Sequence, residues 1–192
     1  MKKIVKLIII FIEAIVAIPI SLIFVLLGIL ADYIDRYSSI SMLVSKIPLY
    51  VGEIIRIIYY KLTLKKAGIK VIYQQGSCIL YRDTEIGENI RIGYNTIIGL
   101  CKIGNDVLLG SNINILSGKN QHCFQDKCKL IREQKGVKKK INIGNNLWIG
   151  SNTTIASNIC DNVIIGLNSN VICDIDKEGI YAGNPAKFIK EI

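Results

Sequence analysis

The stretch 86-IGENIRIGYNTIIG-99 sets an isoleucine-glycine pair three times at an interval of six residues. The interval continues at Ile103-Gly104 and Leu109-Gly110, and resumes at Ile143-Gly144, Ile149-Gly150, Ile155-Ala156, Ile165-Gly166 and Val171. A period of six is neither helical nor the plain alternation of a two-sided strand. It is the period of a parallel β-helix, in which each hexapeptide supplies one short strand and one turn and three of them close a triangular coil. The aliphatic residue points into the prism, where successive coils stack it into a column. Glycine, asparagine and aspartate follow it, as in GENI, GYNT, GNDV, GSNI, GNNL and GSNT, because the turns need residues that tolerate unusual backbone angles. Two steps are short: Ile98 to Ile103 falls short of one period, and Ile155 to Ile165 falls short of two. Bulges or tighter corners are expected there.

One segment breaks the rhythm. Residues 117–140, SGKNQHCFQDKCKLIREQKGVKKK, lack the hexad and are rich in charge. They must leave a corner of the prism and return at Ile141. A loop of this length in a compact repeat domain usually has a function. It carries His122, the chain's one histidine, the residue type best suited to moving protons near neutral pH.

Upstream of the repeat, residues 7–31 (LIIIFIEAIVAIPISLIFVLLGILA) are apolar apart from Glu13 and Pro19. The run is long enough to cross a bilayer. It is too long, and lacks the cleavage site, for a signal peptide. Lysines 2, 3 and 6 precede it and further cations follow it, so both flanks favour the cytoplasmic side. Pro19 should kink or break a helix, which favours a bent, re-entrant or interfacial element over a straight span. A single span or a buried core helix is the alternative. Residues 48–66 alternate apolar residues with Arg56, Lys61, Lys65 and Lys66, a pattern that suits either an anionic lipid surface or packing on the following domain. These readings divide the chain into a hydrophobic membrane-associated helix (1–36), an amphipathic helical lead-in (37–67), the β-helix (68–176) with its loop (117–140), and a tail (177–192).

Composition narrows the function. The chain of 192 residues is 51% hydrophobic, with a mean hydropathy of +0.39 and a net charge of +9. A basic balance can serve nucleic acid, an anionic membrane or a phosphorylated ligand. Nucleic acid is the weakest of these, because the N-terminal cations flank apolar runs and no binding motif is present. Six cysteines without CxxC spacing, beside one histidine, argue against a zinc site and for reduced, packing thiols. A single histidine also excludes the metal-dependent carbonic anhydrases built on hexapeptide repeats, which need three histidine ligands.

The phrases 141-INIGNNLWIGSNTTI-155, 161-DNVIIGLNSNV-171 and 179-GIYAGNPAKFIKEI-192 resemble the C-terminal half of hexapeptide-repeat O-acetyltransferases. That family includes maltose, galactoside, serine and xenobiotic acetyltransferases and enzymes of bacterial surface polysaccharides. The pairing of 117-SGKNQH-122 with 131-IREQ-134, and the lead-in 47-IPLYVGEIIRIIYYKLTLKKAG-68, are similar to the polysaccharide subgroup. The resemblance covers residues 68–192. It implies a left-handed parallel β-helix, mainly β, assembled as a homotrimer, with acetyl-CoA as donor, no metal, and transfer to a hydroxyl without an acyl-enzyme. It implies His122 as general base, with Asn95, Gln134 and Trp148 near the acceptor. Trp148 (at a prism corner near the groove), Ser151, Lys187 and Lys190 would hold acetyl-CoA.

Asn184-Pro185 reads as a helix cap with proline at the first helical position, which starts a short C-terminal helix. Where the family reads Thr-Lys after the last hexapeptide, this chain has Ile172-Cys173, so Lys138–Lys140 or the C-terminal lysines would have to supply that cation. With the apolar N-terminal run, the expected setting is the cytoplasmic face of a bacterial inner membrane. The expected acceptor is a lipid-linked sugar or surface glycan. An acyltransferase using acyl-carrier protein and a non-catalytic membrane-anchored scaffold are the competing readings.

Overall fold

Three helices precede sixteen short strands in the computed structural model, which describes residues 2–192. Helix α1 (Lys2–Asp32) is followed by α2 (Tyr37–Lys46) and α3 (Leu49–Thr63). The first coil holds β1 (Lys66–Ala67), β2 (Val71–Tyr73) and β3 (Cys78–Ile79), and the second holds β4 (Glu85–Ile86), β5 (Ile90–Ile92) and β6 (Ile97–Ile98). The third has β7 (Cys101–Ile103), β8 (Val107–Leu109) and β9 (Asn114–Ile115), and the fourth β10 (Ile141–Ile143), β11 (Leu147–Ile149) and β12 (Thr154–Ile155). Next come β13 (Val163–Ile165), β14 (Asn170–Val171), β15 (Gly179–Ala182) and β16 (Lys187–Lys190).

These strands stack into three parallel faces. Face A is β1-β4-β7-β10, continued by the single bridges Ile143–Ile159 and Ile159–Ile175. Face B is β2-β5-β8-β11-β13-β15, and face C is β3-β6-β9-β12-β14. The inward aliphatic residues of every coil are buried, among them Ile86, Ile103, Ile143 and Ile159 on face A and Ile92, Leu109, Ile149 and Ile165 on face B. The parallel β-helix expected from the six-residue period is therefore the fold.

The coil geometry separates three kinds of corner. From face A to face B, and from B to C, each coil advances six residues, as in Ile86–Ile92–Ile98 and Ile143–Ile149–Ile155. These corners carry residues with positive φ: Asn89, Asp106, Asn146 and Asn162 at one, Asn95, Asn112, Asn152 and Asn168 at the other, all between 53° and 61°. Asparagine and aspartate accept that backbone more readily than branched residues do. Their side chains also form ladders between coils, such as Asn89 Nδ2 to Asp106 Oδ1 at 2.6 Å and Asn146 Nδ2 to Asn162 Oδ1 at 2.8 Å. All irregularity falls at the C-to-A corner. It is short at Ile98–Ile103, and from Ile155 the chain reaches face A at Ile159, so the anomalous interval is a tight corner rather than a bulge. The long loop leaves from this same corner.

The helices cover the open N-terminal end of the prism. Tyr37, Tyr59, Tyr60 and Tyr73 form a chain of ring contacts with centroids 4.7–5.8 Å apart. Burial pushes the Tyr37 hydroxyl up to about 12 and raises those of Tyr59, Tyr60 and Tyr73 as well. Arg56, 2% exposed, donates from Nε to Tyr73 O at 2.8 Å and from Nη1 to Ile47 O at 2.8 Å. The cation that sequence could assign to a lipid surface is thus an internal strut, and α3 packs on the first coil and on α1. Cys78 and Cys101 are buried packing residues, and burial raises both thiols, Cys101 to about 12.

Helix α1 is continuous through Pro19, so the break expected there, and the re-entrant turn it implied, do not occur. Its small residues Ala17, Ser21, Gly28 and Ala31 are buried, and this line meets α3. The contact with α3 includes Gly28 against Tyr59, on the part of the helix that follows the proline. Among the described side chains of α1, Phe11, Ile15, Ile18, Leu22, Ile23 and Leu26 form an exposed apolar face. Ile9–Asp32 is long and apolar enough to cross a membrane. Gly28 fixes the approach of the two helices, since a Cβ there would lie 2.6 Å from Tyr59 Oη and 2.8 Å from its ring. Valine at position 28 should therefore cost about 1–3 kcal/mol, measured as a lower denaturation midpoint with the β-helix signal retained.

The C-terminus departs from expectation. It forms no helix: β16 runs antiparallel to β15 after a turn containing the cis Asn184–Pro185 bond. An unpaired β15 would leave a bare sheet edge, and pairing with β16 covers it.

Candidate active site

The loop begins as an antiparallel stem. Lys139 N donates to Ser117 O at 2.9 Å, Val137 N donates to Asn120 O at 2.8 Å, and His122 bridges Lys135. Gly136 permits this crossing, because a Cβ there would collide with the backbone of Gln121 and His122. Ser117 Oγ accepts from Leu100 N at 2.9 Å, which ties the stem to the third coil. His122 stands exposed at the outer end of the stem, and among the described residues no side chain hydrogen-bonds its imidazole.

Beyond it the chain folds into a compact tip. Gln134 Nε2 donates to Asp126 O at 2.9 Å and Lys129 O at 3.1 Å, while its Oε1 accepts from Asp126 N at 3.1 Å. Both ends of this amide are thus engaged with the loop backbone, and in one chain Gln134 acts as a staple. Phe124, Leu130 and Ile131 are exposed around it.

At the base of the loop, Lys140 Nζ donates to Glu85 Oε1 at 2.9 Å, and Lys65 Nζ lies 3.3 Å from the same oxygen. The Lys140 hydrogen bond leads in holding the Glu85 carboxyl below the usual range, against a smaller opposing effect of burial. A depressed carboxyl stabilises fully above its unfolded pKa, about 4.3 for glutamate, and loses that contribution as pH falls through the folded value. Glu85→Gln should therefore speed hydrogen exchange at the Lys139 amide near neutral pH. The native protein should show that acceleration only in acid, below the ordinary glutamate range.

The remaining residues expected at a site lie elsewhere. Trp148 is at the centre of β11 on the outside of face B, 55% exposed, and not at a corner. The register aligns it with Leu108 on one side and Ile164 on the other, then Ile180, then Lys190. Paired residues on neighbouring strands project to the same side of a sheet. Face B therefore carries an outward apolar row that ends in a cation. In the β15–β16 pairing Lys187 lies opposite Ala182, and a register shift between Tyr181 and Ile180 sets Lys190 opposite Ile180, which brings both lysines to that outward side. Ser151 and Asn95 occupy the B-to-C corner, where Ser151 Oγ accepts from Ser111 N at 3.0 Å. Ile172 and Cys173 are exposed at the C-to-A corner. Of the lysines that might replace a missing cation, Lys140 is paired with Glu85 and Lys138 lies over the Tyr81 ring at 4.8 Å. That leaves the exposed Lys139 on the loop stem, and Lys187 and Lys190 on face B.

In a triangular prism the C-to-A corner is opposite face B. One chain therefore separates His122 and Gln134 from Trp148, Ser151 and the lysines. Sequence reasoning missed Leu108, Ile164 and Gly136. The first two had a signal: the middle residue of a three-residue strand points outward, and at 108, 148 and 164 it is apolar.

No protein-family model matches the chain. It is 42% identical over 71 residues, 36% of its length, to a probable macrolide acetyltransferase of Lysinibacillus sphaericus, and spans 39% of that relative. Its structure is similar to that of a maltose O-acetyltransferase from Clostridium difficile 630, with a TM-score of 0.73, 25% identity, and 85% and 88% of the two chains covered. A galactoside acetyltransferase in complex with coenzyme A gives 0.70 and 25%, over 81% and 78%. The chain resembles the hexapeptide-repeat acetyltransferases in both sequence and fold.

Proposed function

We propose that this protein is an acetyl-CoA-dependent O-acetyltransferase that works as a homotrimer and acetylates a hydroxyl of a membrane-linked glycan. The observation that carries the reading is the separation of a solitary histidine on an excised loop from an apolar, lysine-ended row on the opposite face. In a ring of copies, the loop of one chain meets face B of the next, a heterologous contact that closes under cyclic symmetry. The row suits an extended donor with an apolar arm and anionic phosphates, and Lys187 and Lys190 meet its charged end. Trp148 covers the arm, and the exposed residues of the loop tip are buried against the neighbour.

In this arrangement His122 accepts the proton of the acceptor hydroxyl as its oxygen bonds to the thioester carbonyl carbon. The carbon–sulfur bond breaks, and the imidazolium returns the proton to the departing thiolate. Gln134 holds the tip so that the imidazole keeps its place. Cys123, although adjacent, has no role in direct transfer. The exposed face of α1, with the cations before it, supports a membrane seat and hence an acceptor that is itself lipid-linked.

The reading is tested by hydrolysis-corrected acetyl-CoA consumption with glycolipid extracted from the source membranes, compared with soluble sugars. Consumption that requires the glycolipid is the expected result. Consumption on soluble sugars alone removes the membrane-linked acceptor, and none on either removes the acetyltransferase reading.

A further inference from the structure

A cavity of about 960 Å³ lies where the end of α1, the start of α2, the end of α3 and the C-to-A corner of the first coil converge. The returning strand of the His122 loop borders it through Lys138. We propose that this cavity binds the saccharide head of the lipid-linked acceptor, an assignment that rests on the membrane-linked acceptor proposed above.

Position is the first argument. The rim residues Asp32 and Asp35 directly follow the apolar stretch that ends at Ala31, and Tyr33 and Ile34 between them are 84% and 69% exposed. Aromatic and apolar residues at the end of a membrane helix sit at headgroup depth. The cavity thus opens where a sugar first emerges from the bilayer on its lipid. Its far wall is the loop stem. Lys135, the bridge partner of His122, is three residues before Lys138 on that strand, about 10 Å at an extended rise. A head group of a few sugar units spans that interval.

The lining chemistry is the second argument. Asp32, Asp35, Ser38, Arg82, Asp83 and Lys138 mix acceptors with donors. Arg82 is held by Asp32 at 3.0 Å and by Thr63 O at 2.9 Å, so it is not free to clasp a phosphate. The three carboxylates are matched by Lys65, Arg82 and Lys138, so the lining carries no net charge, and Asp35 and Asp83 can accept from the hydroxyls of a neutral sugar. Several convergent polar groups in a concave site are the usual pattern of a small-ligand pocket.

The test places the photoreactive p-benzoylphenylalanine at Ser38 of the full-length protein, reconstituted in vesicles of total membrane lipid from its own source. Irradiation should yield adducts whose mass spectra release hexose or N-acetylhexosamine fragments. Asp35→Asn with Asp83→Asn should reduce that yield at least tenfold. Adducts to sugar-free phospholipid alone, no adduct, or a saccharide adduct indifferent to the two asparagines would each overturn the assignment. His122→Ala separates this proposal from its parent. Retained saccharide adducts with lost acetyl transfer support both, whereas undiminished transfer sinks the catalytic reading and leaves the cavity assignment to stand on its adducts.

Discussion

Alanine in place of His122 is expected to lower kcat/KM for acetyl transfer by about 10²–10⁴-fold, the range of a general base. That corresponds to about 3–5 kcal/mol of transition-state stabilisation. The side chain is exposed and outside the core, so fold and assembly should be unchanged by circular dichroism and sedimentation. KM for acetyl-CoA should stay within about threefold, because the row proposed to hold the donor is on face B and not on the loop. A variant that keeps its rate would remove His122 from the chemistry. A variant that loses its assembly would make the residue structural.

The second large effect concerns stability. Arg56→Leu should cost about 2–4 kcal/mol, since the buried carbonyl of Tyr73 and the part-buried carbonyl of Ile47 each lose a charged donor and a fully orphaned group costs about 1–3 kcal/mol. The loss is expected at the joint between α3 and the first coil, so the helices should detach from the prism before the coils melt. Hydrogen exchange would show α2 and α3 opening early. Arg56→Lys should recover only part of the loss, because a point cation cannot reach both carbonyls as the planar guanidinium does. Equal stability of Arg56→Leu and the native chain would contradict the internal strut.

The repeat was legible because one requirement recurs in every coil. An inward aliphatic residue and a turn that accepts positive φ leave a trace every six residues, so Ile86 through Val171 announce the prism without reference to anything distant. The corner where the period fails was legible too, and the loop was found by its lack of pattern. What was not legible depends on single events. Arg56 looks like any cation on an amphipathic helix until the carbonyls of Ile47 and Tyr73 are brought to it. Pro19 is compatible with a continuous helix because α3 grips the turns beyond it, a contact set by Gly28 and Tyr59 together. Asn184-Pro185 carries the signs of a helix start, yet the uncovered edge of β15 wins the following residues for a strand. The candidate site was half legible. Sequence resemblance picked out His122 and Trp148 but not that the prism holds them on opposite sides, because facing direction depends on how many coils and corners lie between them.

That separation makes the account's central claim directly testable by mixing subunits. His122→Ala removes the proposed base from the loop, and Trp148→Arg blocks the row on face B, so each alone should be inactive. If a site takes its loop from one copy and its face from the next, random mixing of the two in equal amounts should restore about one site in three in each mixed trimer, and so about one quarter of all sites. Acetyl transfer measured after co-refolding or co-expression should rise to roughly that fraction of the native rate. A mixture that remains as inactive as its components would contradict a site built between copies.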